Sequence, residues 1–258
     1  MRGSSQIPST RPQSQAPASQ IPPAFQPWHH QLQLTTTLGA LSLQLDLAFT
    51  APWSILFGPS ASGKSSVLRA LCGLLPHAHA RVLRRRDDAE TDLTHQPPHL
   101  RHIAYAPQHS ALFPHLNVRS NIAFSSSLLQ PANPQLIDDA LSLFELHKLA
   151  QRLPARLSGG ERQRVNLARA FAVPNARLML LDEPFTGLDL KLRDQLIPRM
   201  SQFLAARSIP CLSVTHDVDE ALLLDAEVFR IDAGRILTHG PARTVLADER
   251  TRLLNALG

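Results

Sequence analysis

Trp53-Ser-Ile-Leu-Phe57 followed by Gly58-Pro-Ser-Ala-Ser-Gly63-Lys64-Ser65 is the stretch on which the fold turns. An apolar run stops at Gly58, the spacing G-x-x-x-x-G-K-S follows, and a helix-forming pattern begins near Lys64. Strand, glycine-bounded loop and helix in that order make a phosphate cradle. Gly58 and Gly63 open backbone conformations closed to residues with a β-carbon. Successive backbone N–H groups then point into one concavity, at the positive end of a helix dipole. Such a concavity suits the β-phosphate of a nucleotide. Lys64 can reach the β- and γ-phosphates, and the Ser65 hydroxyl is available to Mg²⁺. The candidate nucleotide-binding residues here are Gly58, Pro59, Ser60, Ala61, Ser62, Gly63, Lys64, Ser65 and Ser66. This loop implies nucleotide binding and leaves the reaction open.

Outward from the loop, strands alternate with helices. Leu41, Leu43, Leu45 and Leu47 alternate with Ser42, Gln44 and Asp46, the period-2 signature of a half-buried strand. The runs at 103–106, 178–181, 210–215 and 228–231 are also strand-like, and most lack alternation, as expected of central strands covered on both faces. Helical patterns lie at about 64–74, 134–150, 159–173, 189–207 and 217–224. The order implies an α/β fold with a largely parallel sheet. Residues 76–100 are polar and poorly periodic and receive no assignment. Residues 1–31 are rich in Pro, Gln and Ser and are expected to form a disordered tail.

Two further segments carry chemistry. Leu178-Met-Leu-Leu181 runs into Asp182 and Glu183. Asp182 can hold Mg²⁺ where the strand leaves the sheet; Glu183, pointing differently, could orient or deprotonate an attacking water. Leu157-Ser158-Gly159-Gly160-Glu161 opens the helix at 159–173. Ser158 and Glu161 read as a capping box. The two glycines cost helix propensity but let an anion approach the bare N–H groups of the helix start. The chain thus has two phosphate-seeking helix starts and one lysine-bearing loop. The second start must act on a nucleotide held elsewhere, most simply by another copy.

The order of these motifs resembles the nucleotide-binding subunit of an ATP-binding cassette (ABC) transporter from about residue 32 onward. Residues 58–65 resemble its Walker A loop, 157–161 its signature motif and 178–183 its Walker B strand with the catalytic glutamate, Glu183. Gln108 resembles the Q-loop glutamine that senses Mg²⁺ and the γ-phosphate, Asp189 the D-loop aspartate and His216 the switch histidine. The resemblance implies a P-loop NTPase (RecA-like) core with a parallel sheet, a β-rich edge and an inserted α-helical subdomain. The core would span about 32–109 and 173–258, and the subdomain about 110–172. ATP and Mg²⁺ are the implied cofactors. Glu183, His216 and Gln108 are the implied catalytic residues, and Ser65, Gln108 and Asp182 the implied metal site. Ser158, Gly159, Gly160 and Asp189 would meet nucleotide across a head-to-tail homodimer. Implied partners are integral-membrane permease subunits and a solute-binding protein. The implied location is peripheral, on the cytoplasmic face of a bacterial inner membrane.

Finer readings follow from particular stretches. The segment Leu112-Phe-Pro-His-Leu-Asn-Val-Arg119 resembles that of importers for oxyanions and some polyamines, and the runs Leu56-Phe-Gly-Pro-Ser60 and Arg152-Leu-Pro-Ala-Arg-Leu157 look most like molybdate-importer subunits. The C-terminal oxyanion-binding domain of those subunits has no counterpart before Gly258. Thiamine and polyamine importers are the competing readings, and a soluble ABC ATPase acting on nucleic acid is the competing class. The family's adenine-stacking aromatic falls near Ala40-Leu41, where this chain has none.

Composition bounds these readings. The chain has 258 residues and a formal net charge of +5, compatible with nucleic acid, acidic membranes or phosphate ligands but selecting none. No apolar run approaches the roughly 18 to 20 residues needed to span a bilayer. The N-terminus lacks the apolar core of a secretory signal, so the chain is read as cytoplasmic. Cys72 and Cys211 lie in apolar runs and are expected to be buried free thiols.

Overall fold

In the computed structural model, residues 28–109, 111–127 and 133–257 are described. The first strand, β1 (His29–Leu38), forms a hairpin with β2 (Leu41–Phe49), closed at Gly39 with φ +60°. Because β1 begins at His29, residues 29–31 belong to a sheet and not to the expected tail; residues 1–27 lie outside the described residues. The alternation read in β2 is real. Leu43, Leu45, Leu47 and Phe49 are buried and the residues between them exposed.

Next come β3 (Trp53–Phe57), α1 (Lys64–Cys72), β4 (His79–Arg86), β5 (Ala89–Asp92) and β6 (Ile103–Ala106). The unassigned stretch 76–100 therefore contains a second hairpin, β4–β5. Its β4 pairs with β1 to complete an antiparallel sheet in the order β2-β1-β4-β5. Helices α2 (Val118–Ser127), α3 (Pro134–Leu143) and α4 (Gly159–Phe171) follow. The helix expected over 134–150 stops at Leu143 and gives way to a short 3₁₀ turn at His147–Leu149. Then come β7 (Leu178–Asp182), α5 (Leu190–Ala205), β8 (Cys211–Thr215), α6 (Val218–Leu223), β9 (Glu227–Asp232), β10 (Arg235–Pro241), α7 (Ala242–Val245) and α8 (Ala247–Leu257).

The second sheet has six strands in the order β10-β9-β3-β8-β7-β6. All neighbouring pairs are parallel except β10 with β9. Every residue of β3, β7 and β8 is buried, which is why these strands are largely apolar and lack a polar alternation. Successive residues face two different cores. Leu178 and Leu180 pack with α1 and the antiparallel sheet; Met179 and Leu181 pack with the helices on the other side. α1 is thus wedged between the two sheets. Its C-terminal carbonyls are capped by buried Arg101, whose guanidinium donates to the Leu71 carbonyl at 2.7 Å. That wedge fixes the start of α1, and so the phosphate loop. Among the described residues no helix is long and apolar enough to cross a membrane.

Candidate functional site

The site is built at the C-terminal ends of β3, β7 and β8. β3 delivers Gly58 against β9 so closely that a β-carbon on Gly58 would lie 2.0 Å from the Ile231 carbonyl oxygen. The loop then turns through Ala61 at φ +63° and Gly63 at φ +98°. A β-carbon on Gly63 would also lie 2.3 Å from Leu43 Cδ2. Lys64, the first residue of α1, folds its ammonium back over this loop. Nζ donates to the carbonyls of Gly58 at 2.8 Å and Pro59 at 2.6 Å, and to Ser62 Oγ at 3.4 Å. Burial lowers the Lys64 pKa, and the nearby Glu183 and Asp182 carboxylates oppose that shift.

β7 brings Asp182 to Ser65. The Ser65 hydroxyl donates to Asp182 Oδ1 at 3.0 Å, and the Tyr105 hydroxyl donates to Oδ2 at 3.4 Å. Asp182 is 2% exposed. Burial raises its carboxyl above the usual range, against the pull of these two hydroxyls. A buried carboxylate facing a serine hydroxyl across 3.0 Å is an all-oxygen donor pair, the hard set that suits Mg²⁺. These residues therefore fit the cation that the loop chemistry calls for.

Glu183 lies one residue beyond, in the left-handed region at φ +47°. Its own N–H is anchored to the Val214 carbonyl of β8 at 3.0 Å. A non-glycine residue there is uncommon and marks a position held by its surroundings. The turn aims the carboxylate at three partners. Gln108 Nε2 donates to Oε2 at 3.0 Å, Thr186 Oγ1 donates to the same oxygen at 3.2 Å, and His216 Nδ1 lies 3.5 Å from Oε1. The three candidate catalytic residues, distant in sequence, thus meet at one carboxylate.

Beside the loop lies a cavity of about 510 Å³, lined by residues that include Leu38, Leu41, Lys64, Ser65, Gln108 and Glu183. None of its lining residues is aromatic; the β1–β2 hairpin contributes leucines instead.

The second helix start is separate. Ser158 caps α4 in a full capping box: its hydroxyl accepts from Glu161 N–H at 3.2 Å, and the Glu161 carboxylate accepts from Ser158 N–H at 2.7 Å. Nothing crowds Gly159, and Gly160 faces the Gly187 carbonyl. Asp189 caps α5 by accepting from Leu192 N–H at 2.9 Å. Ser158, Gly159, Gly160 and Asp189 do not line the cavity beside Lys64. Two partners escaped the sequence reading. Thr186, three residues after Glu183, has a signal in that spacing. Tyr105 reaches Asp182 only through the pairing of β6 with β7.

Residues 45–186, just over half of the chain, match the family model described as ABC transporter. The chain belongs to the ABC transporter family. The match contains the phosphate loop, Gln108, the second helix start, Asp182 and Glu183; Asp189 and His216 lie beyond it. Among curated proteins the chain is similar to the molybdenum import ATP-binding protein ModC of Pseudomonas syringae pv. tomato. Identity is 37% over 222 residues, covering 84% of this chain and 61% of the relative. The putative 2-aminoethylphosphonate import ATP-binding protein PhnT of Salmonella choleraesuis is 38% identical over 196 residues, covering 74% of this chain and 51% of that protein. The chain therefore spans between about half and three-fifths of the length of these relatives. A solved nucleotide-free ATP-binding cassette from an ABC transporter superposes with a TM-score of 0.71 at 20% identity, covering 86% of this chain and 94% of that one. A bacterial Atm1-family ABC exporter with ATP bound superposes at 0.70 and 24% identity, covering 86% of this chain and 40% of that one. These superpositions establish the cassette fold.

Proposed function

We propose that this cassette is the ATP-binding and ATP-hydrolysing subunit of an importer, and that its cargo is a small oxyanion such as molybdate. The observation that carries the catalytic part is the Glu183 carboxylate, held by Gln108, Thr186 and His216 beside the Lys64 cradle.

In this reading the residues divide the work. The loop 58–66 and Lys64 bind the β- and γ-phosphates. Leu38 and Leu41 meet the adenine through apolar contact. Ser65 and Asp182, with Gln108, would hold Mg²⁺, which would supply neutralisation of charge on the phosphates. Glu183 orients and deprotonates the attacking water, while Gln108 and His216 fix the direction of its carboxylate. The exposed helix start at Ser158, Gly159 and Gly160, together with Asp189, faces the nucleotide of a second copy. Two copies then close head to tail over two nucleotides, and hydrolysis reopens them. Closure would move the helices of about 110–172 relative to the core. A pair of integral-membrane permease subunits would carry that motion, with a solute-binding protein delivering cargo. The cassette sits peripherally on the cytoplasmic face of the membrane.

The oxyanion reading is supported by identity of 37% to a molybdenum-import subunit. The 38% identity to a putative 2-aminoethylphosphonate-import subunit favours a second cargo, a phosphonate, which shares the tetrahedral anionic head.

Glu183→Gln tests the reading. The variant should bind ATP as the parent does, lose hydrolysis by roughly 100-fold or more, and elute as a dimer when ATP is present. Undiminished turnover would remove Glu183 from catalysis. A monomer with bound ATP would remove the two-copy closure. Uptake of labelled molybdate and of 2-aminoethylphosphonate, by cells with and without the gene, separates the two cargoes.

A further inference from the structure

His216 makes little contact of its own. Its side chain is 67% exposed, and its Nδ1 approaches Glu183 at 3.5 Å. The position of the imidazole is therefore set by the two residues that flank it, and both are tied down. Thr215, the last residue of β8, accepts from Asp217 N–H at 3.0 Å through Oγ1 and hydrogen-bonds the Glu220 carboxyl. Asp217 caps α6 through Oδ1, accepting from Asp219 N–H at 2.8 Å and Glu220 N–H at 3.3 Å.

The remaining Asp217 oxygen, Oδ2, accepts from Arg193 Nη1 at 2.8 Å. Arg193 comes from another element. It lies in the first turn of α5, and its Nε donates to Asp194 at 3.0 Å. Its side chain is only 8% exposed. A guanidinium this buried, with two carboxylate partners, is a fixed strut and not a mobile surface charge. The same α5 turn starts at Asp189, which caps it. One ion pair, buried on its arginine side and part-exposed at Asp217, thus connects the helix that begins at Asp189 to the loop that carries His216.

We propose that Arg193 is a positioning residue for His216. It holds the loop through Asp217, and it transmits displacement of the Asp189 turn to the imidazole beside Glu183. The inference rests on the hydrolytic role proposed above. It adds that docking of a second copy at Asp189 is sensed at His216 through α5 within the same chain.

The test compares Arg193→Gln, Arg193→Lys and His216→Ala, singly and as Arg193→Gln/His216→Ala, in the full chain. Arg193→Gln should lower kcat about tenfold or more while KM for ATP changes less than threefold. Arg193→Lys, which keeps a charge able to reach Asp217, should restore most of that loss. In the His216→Ala background, Arg193→Gln should cost less than twofold, because it acts through a side chain already gone. An equal fold-loss in both backgrounds would overturn the proposal. A second readout does not depend on turnover. The ring resonances of His216, identified by their absence in His216→Ala, should shift or broaden in Arg193→Gln and return in Arg193→Lys. Unchanged His216 resonances in folded Arg193→Gln would equally overturn it. A parent protein that hydrolyses no ATP would sink the proposed function instead, and the resonance experiment would still decide the positioning.

Discussion

Glu220→Gln probes the electrostatics behind the His216 loop. Glu220 is 7% exposed. Its carboxyl is pushed up to about 7, first by burial; the Thr215 hydroxyl, Arg193 and His216 pull it down, and Asp217 pushes it up. Free glutamate loses its proton near 4.5. Between pH 4.5 and 7 the folded protein therefore keeps a proton that the unfolded chain has released. The stability contributed by that proton is fully present below pH 4.5 and is lost as pH rises through about 7. At 1.36 kcal/mol per unit, the separation of about 2.5 units corresponds to ~3 kcal/mol, of which about 2.5 falls between pH 5 and 8. Glutamine has the shape of the protonated acid and does not titrate. Urea denaturation of both proteins at pH 5, 6, 7 and 8 isolates this group, because every other titrating residue is common to the pair. The two should be nearly equal at pH 5, and the glutamine variant should be more stable by about 2 to 3 kcal/mol at pH 8. A stability difference that does not change with pH would refute the reasoning.

Three other perturbations have definite outcomes. Gly58→Ala places a methyl 2.0 Å from the Ile231 carbonyl oxygen, so either β9 or the loop must move. We expect about 2 to 3 kcal/mol less stability by urea melting and at least a tenfold loss of ATP affinity by calorimetry. Leu41→Trp gives the cavity the ring it lacks, and should tighten ATP binding roughly fivefold or more through stacking on the adenine, read by the same titration. Cys72 and Cys211 are both buried and free, and burial pushes the Cys72 thiol up to about 12 and raises Cys211 as well. At pH 8 the Cys72 thiolate fraction is then about 10⁻⁴, so Ellman's reagent should leave the native protein untouched and label two thiols in guanidinium.

Much of the core was legible in the sequence because its signals are local. The phosphate loop sits between a strand and a helix that can be read within a dozen residues, and β7 and β8 are mostly apolar and show no period-2 alternation of exposed residues. What escaped depends on distant contacts. β4 reads His-Ala-Arg-Val-Leu-Arg-Arg-Arg, yet Arg84 is 2% exposed, donating to the Arg101 carbonyl at 2.7 Å with its guanidinium over the Trp28 ring at 5.2 Å. A buried arginine breaks the alternation that would have marked the strand. α2 is hidden in the same way by Asn121, fully buried and bonded to the backbone of Phe113, Leu116 and Asn117. In the site, Asp182 and Glu183 were readable as a strand end. That Gln108 and His216 both turn toward Glu183 required the sheet order β3-β8-β7-β6. The link from Arg193 to Asp217 gave no signal at all, since Asp217 lies 24 positions away in another helix's cap.

The lysine that folds back over its own loop has a kinetic consequence. With Nζ bonded to Gly58, Pro59 and Ser62, the loop is braced from within by its own lysine, which must trade these bonds for bonds to phosphate oxygens when it binds nucleotide. The conformational entropy of the loop is spent during folding, and little remains to be lost when the ligand docks. Capture should then need one local step, the exchange of these lysine bonds for bonds to phosphate, and no reordering of the loop backbone. Replacing Lys64 would remove more than a charge: it would take the internal brace from the loop, and each arriving nucleotide would have to organise the cradle for itself.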